Sequence, residues 1–258
     1  MRLYLKFFMM NLKAAMQYKV SFLLTLLGNF LVSFNVFLGV LFMFYRFDEV
    51  KGYQFHEVIL CFATVLMSYT IAEVFMRGFD MFASTIGNGE FDRILLRPRS
   101  SMLQIVMGKM EFTRIGRVLQ SLVMFLYGIH KSEIEWNFER ILTLILMVLG
   151  GAVIFGCLFI IYAGFCFFTL EGLEFMNILT DGAREYGKYP LDVYGKAIFR
   201  FCTFVIPYTL FQYYPFLYLT GRVDHKIYML YPILGCWFLI PSYLFWRLGI
   251  RHYKSTGS

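Results

Sequence analysis

Charge is scarce in this chain and is missing altogether from two long stretches. Charged residues make up 16% of the 258 residues, whereas soluble domains carry about 25%. The runs Ser21 to Phe44 and Ile141 to Phe168 contain no Asp, Glu, Lys, Arg or His. Each run exceeds the ~20 apolar residues that a helix needs to cross the ~30 Å hydrocarbon layer of a membrane. A soluble fold is therefore excluded, and we expect an all-α, polytopic transmembrane helical bundle.

The chain also lacks the motifs of common catalytic and metal sites. Its five cysteines lie in apolar runs and form no C-x-x-C pair, which argues against a zinc site or a disulfide framework. Gly108-Lys109 is one of three Gly-Lys pairs, and none is followed by the Ser or Thr of a phosphate-binding loop. His56-Glu57 begins a metalloprotease-like pattern that fails because position 60 is Leu. We therefore expect no enzyme activity, no metal and no cofactor bound by this chain.

The apolar runs divide the chain into a short N-terminal segment and six spans. Residues 1–20 favour an amphipathic helix in the membrane interface, although a cytosolic extension of the first span is the alternative. The rest, 21–258, forms the six-span transmembrane domain. The third span is ambiguous, because only 118–129 is uncharged, and 102–129 as one helix would be about 42 Å long. The predicted spans are 21–44, 57–76, 102–129, 141–168, one that begins near Lys196 and is broken by two prolines, and 227–246.

The distribution of basic residues predicts the orientation. Most of the 24 Lys and Arg residues lie in the N-terminal segment, in 77–117, in 184–200 and after 246. By the positive-inside rule these segments and both termini are cytoplasmic. The formal charge of +7 is then explained by loops that set orientation, and we expect contact with membrane lipid and none with nucleic acid. Whether the final Ser-Thr-Gly-Ser is native stays open.

The predicted spans contain almost no ionisable groups, which disfavours a carrier driven by its own ion site. Energy for any transport would then come from a partner, and two cytosolic segments could receive it. In 84–100, Phe91, Ile94 and Leu95 share one helical face, which suits either docking on a partner or a plain loop. In 171–187 an apolar stripe suits either a membrane-surface helix or partner docking; it consists of Leu173, Met176, Leu179, Ala183 and Tyr186.

Two stretches resemble a known family. The run Gly89 to Pro98 is similar to the G-x-x-D-x-x-L-x-R-P of the permease subunits of type-2 ATP-binding-cassette (ABC) exporters, in the branch of daunorubicin-resistance-type permeases. A second stretch resembles the later part of the same permeases, through Tyr189-Pro190, Arg200, Ile206-Pro207, Tyr214-Pro215 and Leu219-Thr220-Gly221.

The resemblance implies a function and a set of partners. Such a permease sits in the bacterial cytoplasmic membrane and pairs with a second permease, identical or homologous. Two separate ATPase subunits, which hold ATP and Mg, drive export. The cytosolic loop, about 77–117, contains the coupling helix, and Pro207, Tyr214 and Pro215 belong to a re-entrant or kinked element. The implied ATPase interface consists of Gly89, Phe91, Asp92, Arg93, Leu95, Leu96, Arg97 and Pro98.

Two other functions stay open at this point: a membrane scaffold that transports nothing, and an ion-coupled secondary carrier. The uncharged interior of the predicted spans suggests an amphiphilic or hydrophobic cargo. The sequence identifies neither the cargo nor the direction of transport.

Overall fold

The computed structural model describes residues 2–132, 134–169 and 174–255, with side chains from residue 4 onward. Within these residues the fold is helical, and the one extended pairing is an isolated bridge between Val50 and Tyr53. Four 3₁₀ turns interrupt or extend the helices, at Phe112–Arg114, Leu191–Tyr194, Lys226–Leu230 and Cys236–Phe238. The α-helices are α1 (Arg2–Ala15), α2 (Lys19–Arg46), α3 (Phe55–Asp80), α4 (Phe82–Gly87), α5 (Glu90–Leu95), α6 (Ser101–Gly108), α7 (Ile115–Lys131), α8 (Phe138–Thr169), α9 (Phe175–Leu179), α10 (Asp181–Tyr186), α11 (Lys196–Phe204), α12 (Tyr208–Phe211), α13 (Tyr214–Leu219), α14 (Tyr231–Gly235) and α15 (Leu239–His252).

Four helical stretches in the described residues are long and apolar enough to cross a membrane. They are Lys19–Arg46, Phe55–Gly87, Phe138–Thr169 and Lys226–His252. These stretches contain the predicted first, second, fourth and sixth spans, and the second continues well past its predicted end at residue 76, to Gly87. The uncharged sequence runs therefore marked the correct segments, and polar residues extend each helix beyond its apolar part.

The centre of the bundle is α3, which α7 and α8 flank. Every residue of α3 from Val58 to Thr70 is buried, and the most accessible of them, Met67, is only 8% exposed. Gly151 of α8 permits the close approach to α3, because a Cβ there would lie 2.5 Å from the Oγ of Ser68. Since lipid is as apolar as these side chains, close packing of this kind rather than burial from water holds such helices together.

The predicted third span is broken. Helix α6 ends at Gly108, Lys109 is extended (φ −144°, ψ 116°), and a 3₁₀ turn precedes α7. A single helix over 102–129 is therefore wrong. Helix α7 alone has 17 residues, or about 25 Å. It runs along α3, because Arg117 of α7 pairs with Glu73 of α3, and Gly128 of α7 packs on Leu60 of α3.

The segment 174–194 runs lengthwise along α3. Phe175 packs on Phe165 near the end of α8, with ring centroids 5.8 Å apart. Farther along, the Tyr69 hydroxyl donates to Asp181 at 2.7 Å, and the Tyr53 hydroxyl donates to Asp192 at 3.3 Å. The segment thus connects the two ends of the bundle.

Both predicted locations for 171–187, a membrane-surface helix and a cytosolic docking helix, are therefore wrong. The predicted apolar stripe instead faces the core of the chain, where Met176 and Ala183 are each 2% exposed. Leu173 of that stripe lies outside the described residues. The predicted fifth span near Lys196 is also wrong, because α11–α13 begins and ends at the same end of the bundle: Lys51 donates to the Asp192 carbonyl at 2.9 Å just before α11, and Tyr218 of α13 donates to Glu139 at the start of α8 at 2.8 Å.

Helices α11, α12 and α13 form a hairpin. The Thr209 hydroxyl donates to the Thr203 hydroxyl at 3.1 Å and joins the two arms near the tip. Tyr208, next to the tip, packs on Phe155 in the middle of α8 at 5.5 Å between ring centroids. Pro207 and Pro215 stand at the starts of α12 and α13, where a missing N–H breaks no helical bond.

The open end of the hairpin is anchored where α8 begins. The Tyr218 hydroxyl donates to Glu139 at 2.8 Å. Beyond α13, the Arg222 guanidinium donates to both carboxylate oxygens of Glu57, at 3.1 and 2.9 Å, and stacks over the Tyr53 ring at 4.3 Å. Burial opposes the charge of Arg222, but these bonds to Glu57 outweigh it and raise the pKa of the guanidinium.

Helix α1 lies beside the start of α7 and the end of α3. Phe8 packs on Phe112 with ring centroids 5.0 Å apart, while Leu5 and Met9 are more than half exposed. The apolar residues of α1 are thus divided between the bundle and the outside. Its position in a membrane interface stays a prediction.

Candidate partner interface on α4–α6

The short helices α4, α5 and α6 extend from the end of α3 and contain the predicted coupling motif. Helix α3 kinks at Met76 (φ −118°, ψ 18°), and α4 follows after one residue. Gly89 then takes φ +68°, a left-handed conformation that favours glycine, and turns the chain into α5. Glu90 and Asp92 lie in the first turn of α5, where carboxylates are favoured by the helix dipole. A short helix at this place is confirmed.

Phe91 attaches α5 to the bundle. Its side chain is fully buried and meets Phe82, Phe167 and Tyr253 with ring centroids 5.3, 5.1 and 5.0 Å away. Edge-to-face pairs of this kind stabilise beyond their buried area. The three residues of the predicted docking face, Phe91, Ile94 and Leu95, therefore do not share one exposed surface. Phe91 packs into the bundle, and only Leu95 is exposed.

Asp92 binds the C-terminal segment. Its carboxylate accepts hydrogen bonds from the Tyr253 hydroxyl at 3.0 Å and from the Ser255 hydroxyl at 2.6 Å. Burial raises the pKa of Tyr253, and the bond to Asp92 raises it further. The motif aspartate thus joins α5 to the end of the last helix. Its predicted contact with an ATPase stays a prediction.

The outer side of this region is a basic ledge, which we define as residues 93–99. Leu95 is 45% exposed and Leu96 is 84% exposed. Among the described residues, no carboxylate lies within ion-pair distance of the exposed side chains of Arg93, Arg97 and Arg99. An apolar pair beside free guanidiniums suits a partner surface that offers carboxylates and an apolar recess.

Hydrogen bonds from α6 fix the backbone conformation of the ledge. The Gln104 side-chain amide donates to the carbonyl of Ile94 at 3.0 Å and to that of Arg99 at 3.1 Å. Pro98 is exposed at the turn between them. Farther along α6, Ile105 contacts α3 so closely that a Cβ on Gly78 would lie 2.3 Å from the Ile105 carbonyl oxygen. Helix α6, which holds the ledge through Gln104, is thus in close contact with α3.

A buried ion cluster lies under this region, and we did not predict it. Glu73 is 2% exposed and contacts three guanidiniums, those of Arg117 at 2.7 Å, Arg114 at 3.1 Å and Arg77 at 3.5 Å. Asp80 also pairs with Arg77. The cluster joins the end of α3 to the start of α7, just after the break in the predicted third span.

The cluster extends to α2 through an amide. Arg114 donates to the side-chain oxygen of Asn29 at 3.1 Å, and the Asn29 amide donates to the Thr113 carbonyl, also at 3.1 Å. One sequence signal pointed to this arrangement. An acidic residue lies near the end of one predicted span, and basic residues lie at the start of the next span, which runs antiparallel to it. The ends of such neighbours meet in the fold.

The other predicted site residues, Pro207, Tyr214 and Pro215, belong to the α11–α13 hairpin and lie away from the ledge. Tyr214 packs on Tyr228 and Tyr231 near the open end of the hairpin, at 5.4 and 5.2 Å between ring centroids. Their role in a re-entrant element stays a prediction.

Comparison with protein families matches residues 30–257 to the ABC-2 family transporter proteins. No curated protein and no solved structure matches the chain. The match covers most of the chain and both stretches on which the resemblance rested, while the narrower daunorubicin-resistance-type branch stays a prediction. The chain therefore belongs to the ABC-2 transporter family, as a multi-pass membrane component of an ABC transporter that is not itself the catalytic subunit.

Proposed function

We propose that this chain is the permease subunit of an ATP-driven exporter and that two separate ATPase subunits dock on the basic ledge. Family membership is the observation that carries the proposal. The exposed guanidiniums of Arg93 and Arg97, beside exposed Leu95 and Leu96, supply the surface on which an acidic partner would dock. ATP and Mg are held by the partner.

We infer six crossings of a bacterial cytoplasmic membrane, with both termini in the cytoplasm. Besides the four long apolar stretches, α7 and the segment 174–194 each run from one end of the bundle to the other. The hairpin of α11–α13 then enters and leaves from the outer side as a re-entrant element. Lys196 and Arg200 move to the outer side in this topology, but the basic residues of 77–117 and of both terminal segments stay together on the inner side.

The coupling route follows from the contacts of α5. Closure of two ATPases on ATP would displace the ledge, and Phe91 would transmit the displacement to Phe167 of α8. The close contact between Ile105 and Gly78 would transmit it to α3. Because packed helices shift as units rather than deform, the motion would change access between the two membrane faces. A second permease, identical or homologous, would complete the pathway.

An ion-coupled carrier gains support from one observation. Asp181, Arg184, Glu185 and Lys188 lie on the segment 174–194 beside α3, and in the six-crossing topology proposed here they would be ionisable groups within a crossing. A carrier would move cargo on an ion gradient without ATP. Transport that stops when ATP is removed while the ion gradient is kept would exclude it.

The test of the docking proposal is a charge reversal on the ledge. Arg97→Glu should lower the amount of ATPase that copurifies from native membranes by about tenfold, the effect of roughly 1.4 kcal/mol at an interface charge. Arg46→Glu makes the same charge change on an exposed residue at the other end of the bundle and should leave copurification unchanged.

The amount of copurified ATPase distinguishes the exporter from the scaffold and the carrier. A native level of ATPase in both variants would contradict docking on the ledge. If no ATPase accompanies even the native chain, the exporter proposal fails and a scaffold or a carrier remains.

A further inference from the structure

Four charged side chains form a strip on the segment 174–194. The strip consists of Asp181, Arg184, Glu185 and Lys188, whose signs alternate along the chain. Arg184 lies 3.8 Å from Asp181 and 3.2 Å from Glu185, and Lys188 lies 2.5 Å from Glu185. Both carboxylates are nevertheless open, because the side chain of Asp181 is 54% exposed and that of Glu185 is 45% exposed.

The strip lies deep in the bundle. Tyr69, which donates to Asp181 at 2.7 Å, is 14 residues after Phe55, the start of α3, or about 21 Å along the helix axis. On the other side, Arg184 and Glu185 line a small cleft with Ser33 of α2, and Ser33 is equally far from the start of α2 at Lys19. Two independent helices therefore locate the strip near the middle of the hydrocarbon layer.

Open carboxylates at this depth restrict what can cover them. Charged side chains in membrane proteins almost always face the bundle interior or a water-filled cavity, because hydrocarbon does not solvate them. Among the described residues, Arg184 and Lys188 pack over Tyr69 and Phe62 and are 19% and 18% exposed, whereas the two carboxylates are only partly covered. Lipid is thus excluded as the solvent of the strip.

The neighbouring surface of α2 is apolar rather than charged. Val32 lines the cleft together with Arg184 and Glu185 and is 58% exposed, and its neighbour in the chain, Leu31, is 50% exposed. A single chain therefore presents one wall that is half charged and half apolar. Such a wall fits a molecule with a charged part and a hydrocarbon part.

We propose that the strip lines a water-filled groove, closed on its other side by a second copy of this chain, and that the groove binds the charged or zwitterionic part of an amphiphilic cargo. Asp181 and Glu185 offer acceptors to a cationic group, and Arg184 and Lys188 offer donors to an anionic group such as a phosphate or carboxylate. The exposed leucine and valine of α2 receive the apolar part. The proposal rests on the proposed function, because it assigns a cargo site to that exporter.

The first test is access from water. Glu185→Cys, in the full chain and in native membranes opened to both sides, should react with a membrane-impermeant charged thiol reagent. Leu149→Cys is the matched control, because Leu149 is 53% exposed on an apolar surface at the level of Ser68, which donates to the carbonyl of Val148 at 3.1 Å. We expect Glu185→Cys to react at least tenfold faster. The native chain gives the background from its own cysteines.

The second test is the sign of the charge. Glu185→Cys leaves Arg184 and Lys188 in excess, so an anionic reagent should react faster than a cationic one of the same size. Lys188→Cys leaves Asp181 and Glu185 in excess, so the preference should reverse. With a net unit charge about 6 Å away in a hydrated site, each preference should be about threefold or more.

Each outcome decides one claim. If Glu185→Cys is as inert as Leu149→Cys while ATPase still copurifies, the groove is refuted and the exporter stands. Reaction at equal rates with both reagents in both variants would show access without the proposed charge recognition and would overturn the cargo assignment. If Glu185→Cys reacts with the expected preference but no ATPase accompanies the chain, the groove stands and the exporter fails.

Discussion

Removal of the negative charge of Glu73 should destabilise the protein more than any other single charge neutralisation at the α4–α6 end. Glu73→Gln keeps the size of the side chain but leaves Arg77, Arg114 and Arg117 with less compensation in a site where Glu73 is 2% exposed. Breaking a buried ion pair in this way costs about 3–5 kcal/mol, because the remaining charge stays out of water. For a chain of this length, that corresponds to a fall of about 10 °C in the melting temperature.

The assay is thermal unfolding of the purified protein in detergent, followed as the loss of the monodisperse peak in size-exclusion chromatography. Glu111→Gln is the matched control, because Glu111 is 32% exposed and lies 4.0 Å from Arg77. A partly exposed pair at the limit of ion-pair distance contributes about 1 kcal/mol or less, so the control should melt within about 3 °C of the native chain.

A double variant separates charge from shape. Glu73→Gln combined with Arg117→Gln removes both members of the closest pair, which are 2.7 Å apart, and should recover part of the lost stability. The reasoning is refuted if Glu73→Gln melts with the native chain. It is also refuted if the double variant loses more stability than the sum of the losses in the two single variants.

Three further predictions concern contacts at other positions. Gly78→Ala should cost about 1–3 kcal/mol, because its Cβ would lie 2.3 Å from the carbonyl of Ile105; Gly87→Ala, with nothing within 4 Å, should melt like the native chain. Gln212→Leu should lower the melting temperature by several degrees, because two backbone carbonyls in the bundle lose the buried amide that donates to them at 3.0 and 2.9 Å; an unchanged midpoint would contradict this. Tyr253→Phe keeps the ring but loses the hydroxyl bond of 3.0 Å, so carboxypeptidase should trim the C-terminal residues several-fold faster than in the native chain, and an equal rate would show that the bond does not hold this segment.

The long spans were predictable because a helix of about 20 residues without a single charge matches the thickness of the hydrocarbon layer, whereas a helix on a soluble protein keeps a charged side toward water. Helices α2 and α8 contain the uncharged runs 21–44 and 141–168 and extend past each end by a few residues at most. The helix after Gly89 was predictable for a local reason, since a glycine turn before a short amphipathic stretch needs no tertiary information.

The segment 174–194 was not predictable from its composition. Its charged residues resemble those of a cytosolic loop. Mean hydropathy is an average over all residues of a segment, so it does not show that one side is apolar and the other charged. In the fold, one side packs on α3 through Ala183 while Asp181 and Glu185 are exposed on the other. The break before α7 was missed for a related reason: Arg114 and Arg117 have the composition of interface charges, although Glu73 on a neighbouring helix binds both.

The aromatic contacts of Phe91 have a mechanical consequence for the helices that they join. Phe91, Phe82, Phe167 and Trp246 contact one another at close range, and they come from α5, α4, α8 and α15. A displacement of α5 would therefore reach α8 and α15 together, although these helices lie far apart in the sequence. In the proposed exporter, a partner bound to the ledge would therefore act on these two helices together rather than on one after the other.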